Sequence, residues 1–206
     1  MPHIKFCGLK TLEDISLAAE LCAKAIGFVL TRSPRQVDPA LCRRLRDAVP
    51  AGIRVHGVFA GEDAATIRKL VLECRLDVAQ VHGAEDDAAY WRSLSGLPVI
   101  RAFRVQGPET LQLLGAVRGQ EFLLDAYVPG KAGGTGDRFD WSLARQAATY
   151  GRVILAGGLT PENVGEAIRA AQPWMVDVSS GVERTKGVKD HGLMRAFAAA
   201  VRAAKW

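Results

Sequence analysis

A cysteine and an aspartate occupy positions suited to acid–base chemistry. Asp125 follows the apolar run Phe122-Leu-Leu, and Cys7 is followed at once by Gly8. Desolvation after an apolar run raises the pKa of a carboxyl group, which suits a general acid, although a capping or salt-bridging aspartate is the second interpretation. A thiol has an ordinary pKa of ~8.5, so Cys7 can act as a general base only where its surroundings favour the thiolate. Lys5, two residues earlier, is a candidate for that effect.

The other three cysteines carry no such signal. Cys22, Cys42 and Cys74 lie in predicted helices among apolar neighbours at three- and four-residue spacing, which predicts small buried hydrophobic residues. The chain has no CxxC pair and no spacing of cysteine to histidine typical of a metal site, so we predict no metal.

Two glycine-containing turns resemble phosphate-binding loops. Gly157 and Gly158 follow the seventh predicted strand, and the run from Ser179 through Ser180 to Gly181 follows the eighth. In barrel enzymes these two loops commonly hold phosphate through backbone N–H groups. We therefore predict that these five residues bind an anion.

Two further loops are candidates for binding substrate. The run Gly133, Gly134, Thr135 and Gly136 follows Asp125 and is a flexible connector, a lid over the substrate, or both. Arg35 lies after the second predicted strand and could hold a carboxylate by a bidentate pair, with a solvated loop arginine as the alternative.

The elements that position these residues alternate strictly along the chain. Apolar runs predict eight strands and amphipathic stretches predict eight helices, so the strands should be parallel and joined by right-handed crossovers. Eight units in 206 residues average about 26 residues each, which favours one (β/α)8 TIM barrel over residues 1–206. An open doubly wound sheet is the second interpretation. Such a sheet normally has a glycine-rich turn after its first strand, whereas here the single glycine Gly8 follows that strand. The predicted strands are 4–7, 26–30, 53–59, 78–82, 99–103, 122–125, 153–156 and 175–179, and the predicted helices are 11–24, 38–49, 62–75, 85–95, 108–117, 140–150, 161–171 and 190–204.

Strand alternation predicts which side chains face the barrel interior. Lys5 shares its parity with Cys7, His82 with Gln80, and Asp177 with Ser179, whereas the apolar residues between them have the opposite parity. We expect Lys5, His82 and Asp177 to line the barrel and its mouth.

Helix starts are predicted from capping residues. Thr11 and Asp38-Pro39 are typical N-terminal signals, as is Thr160-Pro161, and Pro108 should open the fifth helix.

Composition narrows the class of partner. The chain has 27 Lys and Arg against 22 Asp and Glu, a net charge of +5, with no basic tail and no basic stripe interleaved with aromatic residues. A small anion is favoured as partner and nucleic acid is the weaker alternative.

No apolar run is long enough to span a membrane, and the N-terminus lacks the features of a signal peptide, so we expect a cytoplasmic protein.

The ordered motifs resemble the phosphoribosylanthranilate isomerase family of tryptophan biosynthesis over nearly the whole chain. They are 5–8 (KFCG), 27–29 (GFV) with 33–35 (SPR), 57–59 (GVF), 80–83 (QVHG), 124–125 (LD), 133–136 (GGTG) with 139–141 (FDW), 155–159 (LAGGL) with 161–164 (PENV), and 176–183 (VDVSSGVE) with 187–190 (GVKD).

The resemblance implies an Amadori rearrangement of N-(5-phosphoribosyl)anthranilate that needs no cofactor. It implies that Asp125 protonates the furanose ring oxygen, that Cys7 removes the proton from C2, and that Arg35 faces the anthranilate carboxylate. The two glycine turns would hold the phosphate, and the protein would be a monomer or a homodimer.

Departures from the family pattern are few. Lys10 and Thr11 stand where many members have Thr-Arg or Thr-Asn, and His56 occupies a position that is often apolar.

The rival enzyme is the related sugar-phosphate isomerase of histidine biosynthesis. A resemblance to that family would call for an aspartate in place of Cys7. The rival from another class is a non-catalytic barrel that binds phosphate or nucleic acid.

Overall fold

Eight parallel strands close into a barrel. The computed structural model describes residues 1–83, 87–105, 107–125 and 141–204. Each strand pairs with its sequence neighbours, and the first strand also pairs with the eighth, with His3 opposite Met175 and Phe6 opposite Val178. This closure confirms the TIM barrel and excludes the open sheet. The strands are β1 (His3–Cys7), β2 (Ala25–Val29), β3 (Arg54–Ala60), β4 (Val78–His82), β5 (Val99–Arg104), β6 (Glu121–Asp125), β7 (Arg152–Ala156) and β8 (Met175–Val178).

Helices follow the strands in alternation. The fifth is the most reduced, because four α-helical residues pass directly into a 3-10 turn at Leu114–Val117. In the described residues the helices are α1 (Leu12–Glu20), α2 (Pro39–Asp47), α3 (Ala64–Glu73), α4 (Ala88–Ser93), α5 (Thr110–Leu113), α6 (Trp141–Ala147), α7 (Val164–Ala171) and α8 (His191–Ala203).

Capping explains where several helices begin, and shows where two predictions were wrong. Thr11 accepts a hydrogen bond from the Asp14 amide (3.1 Å), and Asp38 accepts one from Leu41 (2.7 Å), as predicted. The predicted starts at Pro161 and Pro108 are wrong. A turn precedes each helix instead, and the carbonyls of Thr160 and Pro108 accept bonds from residues three positions later.

One cysteine differs from its predicted environment. Cys42 and Cys74 are buried as expected, but Cys22 is exposed. Helix α1 ends at Glu20, and Cys22 adopts a φ of 60° in the connection to β2, so it never joins the apolar face of the helix.

The alternation of the strands divides the core into two parts. Outward residues such as Ile4 and Phe6 pack with the helices. Inward residues such as Ala25, Leu123 and Ile154 form a smaller apolar cluster inside the barrel. Four polar side chains are buried on the inward faces, as the parity of Lys5 and Asp177 predicted; they are Lys5, His56, Gln80 and Asp177.

The amino-terminal end of the barrel carries ion pairs. Glu121 of β6 accepts bonds from Arg54 of β3 (2.7 Å) and from Arg152 of β7 (3.4 Å). These pairs join β3, β6 and β7 at that end, whereas the predicted site residues gather at the carboxyl ends of the strands.

The segment between β8 and α8 contains a hairpin that the sequence analysis did not predict. A 3-10 turn (Ser180–Val182) leads into β9 (Glu183–Thr185), which pairs antiparallel with β10 (Val188–Lys189). Gly187 has a φ of 81° in the connecting turn, a conformation that favours glycine. This hairpin lies beside the mouth of the barrel and carries Glu183 into it.

Among the described residues, no helix is both long and apolar enough to cross a membrane.

Candidate active site

The carboxyl ends of the strands surround a cavity of about 890 Å³. Most of the predicted site residues line it together. They are Cys7, Arg35, His82, Asp125, Gly157, Gly158, Asp177, Ser179 and Ser180. Lys5 and Gly181 are not among the lining residues, and Gly133, Gly134, Thr135 and Gly136 fall outside the described residues.

Cys7 ends β1 and is buried at the floor of the cavity. Burial raises the pKa of its thiol above the ordinary value, and the charges of Lys5 and Lys189 offset this only in part, while Asp177 adds to the increase. Lys5 therefore acts in the expected direction, towards the thiolate, whereas burial, the largest effect, acts against it.

Lys5 and Asp177 form an ion pair directly inside the barrel. Lys5 Nζ donates to Asp177 Oδ2 at 2.7 Å, and the lysine side chain is fully buried. Burial alone would lower the pKa of Lys5, but Asp177 and Cys7 together raise it, so the ammonium stays charged beneath the thiol.

Gly27 makes room for this arrangement. It lies opposite Cys7 in the pairing of β1 with β2. An ideal Cβ on Gly27 would lie 2.7 Å from Cys7 Sγ and 3.3 Å from Lys5 Nζ. Glycine inside a strand often marks such a close approach, a signal that the sequence analysis left unused.

A second group of polar atoms includes Gln80 and His82, which line the cavity, and the buried His56. Gln80 Nε2 and His82 Nε2 are 2.9 Å apart. Both ring nitrogens of His56, Gln80 Oε1 and Asp177 Oδ1 are buried and have no hydrogen-bond partner within the described parts of the chain. Burial, and then the charge of Lys5, lowers the pKa of His56 well below its ordinary value, so the imidazole is neutral.

Asp125 ends β6 and lines the same cavity as Cys7. It lies level with Arg104 of β5 and with Ala156 of β7. In the order of the barrel, β7 and β8 separate Asp125 from β1 on one side. A carboxyl group and a thiol thus reach one cavity from separate strands, which is the placement that an acid and a base need around a bound molecule.

Arg35 is held by an acidic residue of the hairpin. Its Nε and Nη2 donate to the two carboxylate oxygens of Glu183, at 2.7 and 2.9 Å. The solvated loop arginine is therefore not what the structure shows. Sequence reasoning did not identify this partner, which lies 148 positions away along the chain.

The two glycine turns pack against each other. Gly157 and Gly158 have φ of 89° and 62°. A Cβ on Gly181 would lie 1.8 Å from the carbonyl oxygen of Leu159, so the second turn approaches the first at its backbone. Ser179 Oγ also donates to the carbonyl oxygen of Cys7 (3.1 Å), which joins the second turn to the end of β1.

Comparisons with known proteins agree with this arrangement. A profile of the family described as N-(5'phosphoribosyl)anthranilate (PRA) isomerase matches residues 4–200. The N-(5'-phosphoribosyl)anthranilate isomerase of Syntrophomonas wolfei subsp. wolfei is 43% identical over 197 residues, which cover 96% of each chain.

Solved structures show the same similarity. A phosphoribosyl anthranilate isomerase in complex with reduced 1-(o-carboxyphenylamino)-1-deoxyribulose 5-phosphate gives a TM-score of 0.86 at 32% identity, covering 98% of this chain and 99% of that one. A structure of monomers generated from the dimeric isomerase of Thermotoga maritima gives 0.85 at 32% identity, with the same coverage. With a profile match over nearly its whole length and a relative above 40% identity, the chain belongs to the N-(5'-phosphoribosyl)anthranilate isomerase family of enzymes.

Proposed function

We propose that this chain catalyses the Amadori rearrangement of N-(5-phosphoribosyl)anthranilate to 1-(2-carboxyphenylamino)-1-deoxyribulose 5-phosphate in tryptophan biosynthesis. The observation that carries the proposal is the meeting of Cys7 and Asp125 in one cavity of a chain that belongs to this family. A cavity of about 890 Å³ lies within the usual range for small-molecule sites, roughly 300–1,000 Å³. A small phosphorylated molecule is therefore favoured as partner over nucleic acid.

Two proton transfers account for the reaction. Asp125 gives its proton to the furanose ring oxygen, the bond from that oxygen to C1 breaks, and the nitrogen lone pair forms the C1=N bond of a protonated Schiff base. Cys7 then takes the proton from C2, the electrons of that C–H bond form the C1=C2 double bond of an enolamine, and the electrons of the C1=N double bond return to nitrogen. Tautomerisation to the ketone gives the product, with no net oxidation.

The position of Cys7 suits removal of a proton from carbon. Lys5 keeps its positive charge below the thiol, and so it stabilises the thiolate relative to the neutral form even though burial acts the other way. The cationic Schiff base formed in the first step would add a positive charge near Cys7, so ring opening should lower its pKa at the moment a base is needed.

The remaining predicted residues would hold the two ends of the substrate. Backbone N–H groups at Gly157, Gly158, Ser179, Ser180 and Gly181 would bind the phosphate. The guanidinium of Arg35 would bind the anthranilate carboxylate, because its pair with Glu183 uses Nε and Nη2 and not Nη1. His82 and Asp177 would line the substrate cavity, and Lys5 would act from below Cys7.

We propose that residues 1–206 form one domain that acts in the cytoplasm as a monomer or a homodimer. The related Thermotoga maritima enzyme is described as dimeric, which supports the second state. All four cysteines are free thiols, as expected in a reducing compartment.

Direct assay tests the activity. Purified protein should convert freshly prepared N-(5-phosphoribosyl)anthranilate to the ribulose product, followed chromatographically, and should rescue a tryptophan auxotroph that lacks this isomerase. Turnover of the histidine-pathway aminoaldose instead would favour the rival enzyme. Well-expressed folded protein that binds the phosphorylated substrate but does not convert it would favour the non-catalytic barrel.

A further inference from the structure

Glu183 is the acidic residue at the start of β9, and the reaction scheme above gives it no part. Its side chain is 4% exposed. Four donors meet its two carboxylate oxygens. Arg35 Nε (2.7 Å) and Lys189 Nζ (2.9 Å) donate to Oε1, and Arg35 Nη2 (2.9 Å) and the Gly187 amide (3.1 Å) donate to Oε2.

This carboxylate is ionised and fully engaged. Burial alone would raise the pKa of Glu183, but the bonds from Arg35, Lys189 and the Gly187 amide lower it to about 2. A buried carboxylate with both oxygens bonded to cations and to a backbone N–H resists movement, because any displacement breaks charge-assisted bonds.

One arm of the network fixes Arg35. The stem of Arg35 lies against Gly8, where an added Cβ would be 2.9 Å from the arginine Cδ. The guanidinium is then held in plane by the bidentate pair with Glu183. The aliphatic carbons and the guanidinium of Arg35 are therefore both fixed. The edge of the guanidinium that bears Nη1 keeps one orientation at the mouth of the cavity.

The other arm reaches the phosphate turn and the base. Lys189 Nζ, which bonds to Glu183, also donates to the carbonyl oxygen of Ser179 (2.9 Å) and contacts its hydroxyl (3.4 Å). The Ser179 hydroxyl donates in turn to the carbonyl oxygen of Cys7 (3.1 Å). A continuous chain of bonds therefore runs from Arg35 through Glu183 to the peptide of the proposed base.

The charges of the network also favour an anionic ligand. Arg35 and Lys189 contribute two positive charges and Glu183 one negative charge, so the group carries a net +1. Lys189 is close enough to Cys7 for its charge to lower the pKa of the thiol. Removing the charge of Glu183 would leave Arg35 and Lys189 beside Cys7 without their shared counter-charge.

We propose that Glu183 is a positioning residue of the isomerase, which orients Arg35 for the substrate carboxylate and, through Lys189 and Ser179, couples that site to Cys7. The proposal rests on the proposed function, because it needs Arg35 to bind the anthranilate carboxylate. It predicts that Glu183 makes the enzyme prefer ligands that carry this carboxylate.

The test is a comparison of two ligands on the variant Glu183→Gln. The probes are reduced 1-(o-carboxyphenylamino)-1-deoxyribulose 5-phosphate and its phenylamino counterpart without the carboxyl group. A charged hydrogen bond contributes enough for misorientation of Arg35 to weaken the first ligand about 10- to 100-fold. The second ligand should bind within about twofold of wild type, because the phosphate turns remain. Glu20→Gln, in an exposed pair with Arg195, is the matched control and should change neither Kd.

A second measurement excludes a purely structural role. In a Cys22→Ser background, which removes the exposed cysteine, alkylation of Cys7 by iodoacetamide is followed against pH by peptide mass spectrometry. Loss of the negative charge of Glu183 should move the alkylation midpoint of Cys7 to lower pH. If Glu183 only held the hairpin in place and was not coupled to Cys7, that midpoint would not change.

The outcomes separate this proposal from the proposed function. Equal loss of affinity for both ligands, or an unchanged Cys7 midpoint, would overturn the role of Glu183 while wild-type turnover still supports the isomerase. Absence of wild-type turnover would overturn the function itself. If Glu183→Gln does not fold, Lys189→Met removes the arm towards Ser179 together with one of the four donors to Glu183, and leaves both bonds from Arg35 in place. This variant should keep the carboxylate preference and lose kcat, and a lost preference would contradict the proposal.

Discussion

Lys5 and Asp177 meet across the seam of the barrel, where β1 pairs with β8, and their charged atoms are 2.7 Å apart. The two residues are 172 positions apart in sequence and level in the sheet. Because both side chains are buried, neither charge is solvated by bulk water, and each depends on the other. The pair therefore joins the closure of the barrel to the electrostatics of the proposed base.

Breaking this pair from one side should be costly. Asp177→Asn leaves the ammonium of Lys5 buried without its carboxylate, and loss of one partner of a buried pair typically costs ~3–5 kcal/mol. Urea unfolding monitored by circular dichroism measures the free energy of unfolding. Lys5→Met combined with Asp177→Leu removes both charges and should lose less than Asp177→Asn alone. A single variant as stable as wild type would show that the pair does not support the fold.

The acid and base assignments predict loss of turnover without loss of fold. Cys7→Ala and Asp125→Asn should each lower kcat by roughly 10²–10⁴-fold, the usual contribution of a general acid or base. Both variants should still bind the reduced product analogue, because the phosphate turns and Arg35 are untouched. Steady-state kinetics and titration calorimetry measure the two quantities. Near-normal kcat in either variant would remove that residue from the mechanism.

Gly27 should not tolerate even a methyl group. In Gly27→Ala the new carbon would lie 2.7 Å from Cys7 Sγ, closer than atoms normally approach, so the sulfur or the strand must move. Overpacking of this kind typically costs ~1–3 kcal/mol, and here the displaced atom is the proposed base, so kcat should fall as well. Gly115→Ala is the control, because nothing lies within 4 Å of its added Cβ. Equal kcat for the two variants would contradict the close approach.

His56 should make stability depend on pH. Burial, then the charges of Lys5 and Arg54, holds its pKa well below the ordinary 6.5, and only its contact with Gln80 acts in the opposite direction. Below about pH 6.5 the unfolded chain binds a proton that the folded protein does not, so the free energy of unfolding falls as pH falls, by at most roughly 1.4 kcal/mol per pH unit.

The variant His56→Leu isolates this effect. It should show a shallower loss of stability between pH 8 and about pH 5.5 than the wild type in urea unfolding. Burial also lowers the pKa of His3, so a residual slope should remain in the variant. Parallel curves for the two proteins would show that His56 takes up its proton equally well in the folded state.

Periodicity along the chain was sufficient to predict the barrel and the interior faces of its strands. Alternation placed Lys5 and Asp177 inside, and the structure confirms both, because a side-chain period of two applies to any strand in a closed sheet. Local capping predicted the start of α2 at Pro39. It was wrong at Thr160, where the Asn163 side chain instead accepts a bond from the Thr160 amide (2.8 Å) and organises a turn before the helix.

The partner of Arg35 could not be predicted in the same way. Glu183 lies 148 positions from Arg35, and no local pattern specifies a bond over that distance. The hairpin that carries Glu183 has strands of three and two residues rich in charge, too short for alternation to be recognised. The lack of hydrogen-bond partners for His56 among the described residues depends on the packing of several strands, which no local pattern specifies.

The pairing of β1 with β8 also determines when the active site is completed as the chain is synthesised and folds. The proposed base is synthesised well before Asp177, Ser179 and Glu183, which all follow it in the sequence. Contacts of such long sequence separation are generally slow to form, because loop closure precedes any gain from them. Until β8 pairs with β1, Lys5 lacks its ion-pair partner Asp177, and Arg35 lacks its partner Glu183. The onset of activity should therefore coincide with closure of the barrel, and turnover should report the final step of folding.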